Sequence, residues 1–121
     1  MLAEDVLRFL RSSIDSLWAL DVLLLLRREP LRSRSVDELT AELRASRGIV
    51  INALVQLGRA GLIEEAEGLY RYHPLDAEGD ALIERVAASY ANFPVAVTRA
   101  VLTAPSHKIQ LFADAFRLKK D

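Results

Sequence analysis

The chain has 121 residues and a mass of 13.5 kDa, the size of one domain around one core. Hydrophobic residues make up 51% and charged residues 27%, which excludes a disordered chain, and the lack of cysteine excludes a disulfide scaffold, a thiolate metal site and a cysteine nucleophile. Sixteen basic residues against seventeen acidic ones give a net charge of −1, so any surface that attracts a polyanion has to be local.

Leucine (21) and alanine (17) dominate the sequence, while glycine (5) and proline (4) are scarce, so the expected class is mainly α. The first predicted helix runs from Ala3 to Ser12, with Val6, Leu7 and Leu10 at helical spacing. A second spans Ile14 to Arg28 and is apolar nearly all round towards its end, which predicts burial on more than one side. Arg27 and Arg28 suit its C-terminal dipole and Pro30 ends it. After a short extended link (Arg32 to Arg34), Ser35-Val36-Asp37-Glu38 has the form of a capping box and opens a helix to about Ala45, with Val36, Leu39 and Leu43 inward. Ser46 can cap a further helix from Arg47 to Ala60, closed by Gly61, whose inward stripe is Val50, Ala53, Leu54 and Leu57.

Beyond Gly61 the period changes. Leu62–Ala66 and Leu69–His73 flank Glu67-Gly68, the pattern of a two-stranded hairpin, and Pro74 stops it. From Asp76 a long helical stretch carries Leu82, Ile83, Val86, Tyr90 and Phe93, and Pro94 interrupts it. A piece from Val95 to Thr103 follows, then a last helix capped by Ser106 and running to about Lys119, with Ile109, Phe112, Ala113 and Phe116 on one face. The longest uninterrupted apolar run, Val22 to Leu26, is far short of the roughly 20 residues that cross a membrane. With Glu4 and Asp5 where a secretory signal would be basic, the expected location is the cytoplasm.

The order of helix, extended link, capped helix, tight turn, helix and hairpin resembles the winged helix-turn-helix family of bacterial repressor-like regulators. The resemblance covers roughly Leu17 to His73 and is carried by Ser35-Val36-Asp37-Glu38-Leu39, by the Ala45-Ser46-Arg47 turn, and by Leu54-Val55-Gln56-Leu57-Gly58-Arg59-Ala60-Gly61-Leu62-Ile63. It implies a winged-helix core at 14–74 with a two-stranded wing; with the length and helical pattern, the expectation is a single domain over residues 1–121 with additional N- and C-terminal helices, whose helical extension at 76–121 either wraps the same core or forms a dimer interface. The surplus apolar residues of that extension lead to the expectation of a homodimer.

The resemblance further implies a DNA-binding transcriptional regulator whose third core helix enters the major groove of double-stranded DNA while the hairpin meets the flanking backbone. By position, Arg47, Asn52 and Gln56 are the candidate base readers, Asn52 and Gln56 having the donor–acceptor pair that matches adenine. Arg32, Arg34 and Arg59 are the candidate phosphate contacts, with Arg44 beside them. The same surface admits an alternative, a winged-helix module that binds protein: Ile49, Ile51 and Val55 are aliphatic at its centre, and the wing carries Glu64, Glu65 and Glu67. No phosphate loop, nucleophile elbow or metal-ligand spacing occurs, and His73 and His107 stand apart, so neither catalysis, a cofactor nor a metal is expected. Trp18 is expected as a core or interface anchor, and Asp21, inside an apolar helix, as the carboxylate with a shifted pKa.

Overall fold

The computed structural model describes residues 2–102. The expected last helix, with Ile109, Phe112 and Phe116, and His107 lie outside the described residues. In chain order the elements are α1 (Glu4–Ser13), α2 (Leu17–Arg28), β1 (Arg34–Ser35), α3 (Val36–Leu43), α4 (Arg47–Arg59), β2 (Ile63–Ala66), β3 (Leu69–Tyr72), α5 (Ala77–Asn92) and α6 (Pro94–Leu102).

The helix α2 starts three residues later than the apolar pattern suggests. Ile14 is extended with its side chain fully buried, and the Ser16 hydroxyl accepts the amide of Ala19 at 3.1 Å, so a cap interrupts what periodicity reads as continuous helix. The expectation that α2 is buried on several sides holds: Ala19, Leu20, Val22, Leu23, Leu25 and Leu26 are all in the core, and the helix packs on α3, α4, α6 and β3. The capping box of α3 forms as read, with Glu38 N–H donating to Ser35 Oγ at 3.1 Å and Ser35 N–H donating to Glu38 Oε1 at 3.2 Å. That helix ends at Leu43 because Arg44 turns left-handed (φ 54°) and its amide reaches back to the Thr40 carbonyl.

The sheet has three strands, not two. Arg34, expected in the link, and Ser35, the N-cap of α3, pair antiparallel with Tyr70 and Leu69, giving the order β1-β3-β2. A two-residue strand is too short to show the alternation that marks a strand in sequence. The turn between β2 and β3 has Glu67 at φ 54° and Gly68 at φ 79°, the paired left-handed conformation that matches the twist of a tight hairpin. Asp76 caps α5 by accepting the Gly79 amide at 2.8 Å, and Pro94 opens α6 instead of kinking a continuous helix.

One hydrophobic core runs through the six helices and through β2 and β3. Val97, Ala100 and Val101 of α6 are buried in it, and α6 packs on α1, α2 and α5, so the described part of the helical extension wraps the same core as the helix-turn-helix. Phe93, Val95 and Leu102 stay at the surface. The architecture is a winged helix-turn-helix: α2, α3 and α4 with the small sheet, backed by α1, α5 and α6.

Candidate nucleic-acid interface

The position of α4 follows from its buried stripe. Val50, Ala53, Leu54 and Leu57 seat it against α2 and α3, and the Ser46 hydroxyl caps its first turn by accepting the Ile49 amide at 3.2 Å. At about 100° per residue the opposite face carries Gly48, Ile51, Asn52, Val55 and Arg59, all exposed. Ile49 and Gln56 lie on the flank that looks towards the α1–α2 connection. There, with Asp15, Ser16, Trp18, Asn52 and Ala53, they line a cavity of about 290 Å³. Trp18, expected as an anchor, is 37% exposed at this cavity.

The six expected DNA contacts do not form one set. Asn52 and Arg59 share the outward face of α4. Arg47 stands exposed at its start, where its guanidinium pairs with Asp37 from the first turn of α3. Arg59 has no carboxylate partner among the described residues, and the same is true of Arg44. The Gln56 amide is committed elsewhere: it donates to the Ser13 carbonyl and accepts the Asp15 amide at 3.3 Å, tying α4 to the α1–α2 connection. The pairing of Asn52 with Gln56 as a two-residue adenine reader is therefore not what the geometry presents.

Arg34 is only 3% exposed, with its guanidinium between Glu29 at 2.6 Å and Glu42. A side chain buried and doubly paired in this way holds the sheet against the helix-turn-helix; it does not face a phosphate. Arg32 is exposed but joins the same chain of charges, 2.9 Å from Glu29 and 3.1 Å from Glu38. Hydrogen bonds from Arg32 and then Arg34 hold the Glu29 carboxyl below its ordinary range. The Ser35 amide, followed by Arg32, does the same for Glu38, and the Glu29 contact raises the Arg32 guanidinium.

The acidic wing is quieter than its sequence. Glu64 pairs with Arg71 directly across the strands, with His73 Nε2 at 3.8 Å from its other oxygen. Glu65 accepts the Gly68 amide at 2.8 Å and so closes the turn. Among the three, Glu67 at the tip keeps an exposed carboxylate without such a partner.

Two polar clusters on the far side were less legible. Tyr72 donates to Asp80 at 2.7 Å and Arg27 Nε lies 3.4 Å from the same oxygen, beside a cleft of about 530 Å³ between α2, β3 and α5. Burial, then the Asp80 contact, pushes the Tyr72 hydroxyl well above the usual phenol range. No local motif announces a contact between residues 53 positions apart such as Arg27 and Asp80. Asp21, singled out in the sequence for a shifted pKa, is raised by burial, and a hydrogen bond with Tyr90 partly opposes that. Among the described residues no group of His, Asp or Glu side chains could hold a metal ion, and no helix is long and apolar enough to cross a membrane.

The sequence matches no protein-family model and no curated protein. Among solved structures, the fold is similar to the crystal structure of a MarR family transcription regulator, with a TM-score of 0.54 and 24% identity over 94% of this chain and 79% of that one. At under a quarter identity, that likeness shows the winged helix-turn-helix fold.

Proposed function

We propose that the protein is a DNA-binding transcriptional regulator, without catalytic activity, that docks α4 in the major groove of duplex DNA. The observation that carries this reading is the presentation of α4: a capped helix with a solvent-facing stripe running its length, braced from behind by α2 and α3 and flanked by the wing. In this reading Arg47 and Asn52 meet base edges, while Arg59, Arg44 and Arg32 meet phosphates. Gln56 and Arg34 are positioning residues that fix the helix and the sheet. The solved neighbour's description as a transcription regulator supports the same assignment.

The working form in this reading is a cytoplasmic homodimer joined through its terminal helices. Its support is the exposed apolar surface of Phe93, Val95 and Leu102. Light scattering should give twice the chain mass of 13.5 kDa at micromolar protein. Fluorescence anisotropy with a random-sequence duplex tests the function itself. With about three to five phosphates neutralised per subunit, log affinity should fall against log salt with a slope of about −3 to −5 per subunit. A folded sample that binds no duplex at low salt, with protein in the tens of micromolar, refutes the proposal.

A further inference from the structure

The outward face of α4 is unusual for a helix that meets a polyanion, because its middle is aliphatic. Ile51 is 39% exposed and Val55 47% exposed, one turn apart, with Asn52 beside them. Gly48, one turn before Ile51 on the same stripe, has nothing within 4 Å of where a Cβ would stand. Among the described residues nothing requires that glycine, and in a helix it costs up to about 1 kcal/mol relative to alanine. A bare first turn lets an outside surface approach the helix backbone closely.

We infer that Ile51 and Val55 contact the C5 methyl groups of thymines in the major groove, so that the protein prefers thymine-bearing duplex; the inference rests on the reading of α4 as the groove helix. Thymine is the DNA base that places a methyl group in that groove, and apolar side chains are its natural contacts. Residues four apart on a helix are separated by about 6 Å along its axis, which spans about two base-pair steps. Arg44 and Arg59 bracket the pair, three residues before α4 and at its last position, and supply the cations that flanking phosphates need. Ile49 is turned to the Trp18 cavity, which leaves Ile51 and Val55 as the aliphatic pair of the outward face.

The test compares a duplex of alternating dA and dT with the same duplex in which every thymine is replaced by deoxyuridine. The exchange removes the methyl groups and leaves the charge and the hydrogen-bonding edges of the bases unchanged. The full chain should bind the thymine duplex roughly tenfold more tightly per subunit at low salt, from the burial of two methyl groups. The double variant Ile51→Ala, Val55→Ala, altered only at exposed positions, should bring the ratio of the two affinities close to one. Circular dichroism confirms that the variant is folded. Equal binding of the two duplexes by the unaltered protein overturns the inference and leaves the DNA-binding function standing, as does a ratio that survives in the double variant. A folded protein that binds neither duplex overturns both.

Discussion

Gln56 separates anchoring from base reading in one experiment. Its amide makes two hydrogen bonds to the α1–α2 connection, one donated to the Ser13 carbonyl and one accepted from the Asp15 amide, and both disappear in Gln56→Ala. Each such bond contributes about 0.5–1.5 kcal/mol net, at the lower end for the Asp15 amide, whose residue is exposed and regains water. The sum is a loss of about 1–2 kcal/mol. With the unfolding entropy of a chain this size, it lowers Tm by about 4–8 °C. Urea denaturation followed by circular dichroism should show a lower midpoint with an unchanged m-value. Under conditions where the variant is fully folded, its affinity for duplex should stay within about twofold of the parent. An unchanged midpoint together with a tenfold loss of duplex affinity would refute the reasoning, since Gln56 would then be reading bases from another rotamer.

Arg34→Ala removes a buried cation and the packing of its stem, and should cost about 2–4 kcal/mol in the same denaturation assay, well beyond the effect of Arg32→Ala at an exposed site. Glu29 and Glu38 have folded-state pKa values below their ordinary one. The stability they contribute is therefore complete at neutral pH and is lost as pH falls through the ordinary glutamate range towards the lowered values, so Tm should drop between about pH 5 and pH 3, and Glu38→Gln should flatten that part of the profile. Asp21 has the opposite sign: its raised folded-state pKa makes the charged form unfavourable at neutral pH, and Asp21→Asn should raise Tm there, with the difference closing as pH falls below the ordinary aspartate value. Glu67→Lys at the wing tip should strengthen duplex binding about 3–10-fold at low salt and steepen the salt slope by about one, a change visible by anisotropy.

The parts of the fold that were legible in the sequence are those written in local chemistry. Ser35 with Glu38, Ser46, and Glu67-Gly68 specify two helix starts and a hairpin turn through groups no more than three residues apart, and all three formed as read. The apolar stripe of α4 likewise identified its inward face from periodicity alone. What escaped was every feature that depends on a distant partner. The strand at Arg34–Ser35 exists because β3 lies alongside it, and Arg34 is buried because Glu29 and Glu42 converge on it from two other elements. Gln56 was legible as a polar residue on α4, yet its partners lie more than 40 positions away. Charge type in sequence marked Arg32, Arg34 and Arg59 alike as phosphate contacts and Arg47 as a base reader; among the described residues the fold buries Arg34, pairs Arg32 and Arg47 with carboxylates and leaves Arg59 without one.

The double burial of α2 bears on how the protein tolerates change. Most surface helices answer to one neighbour, so a substitution on the inward face is absorbed by a small tilt towards solvent. α2 packs on α3, α4 and β3 and also on α6, and its Leu20, Val22, Leu23 and Leu26 are buried among them. A close-packed interior has no slack to take up a shift of that kind. Any change in volume along α2 is therefore felt at once in the seating of α4 and in the terminal helices, two surfaces that share no residue. Sequence variation between such proteins should accordingly be sparse along α2, and where it occurs it should come with a matching exchange in both neighbours.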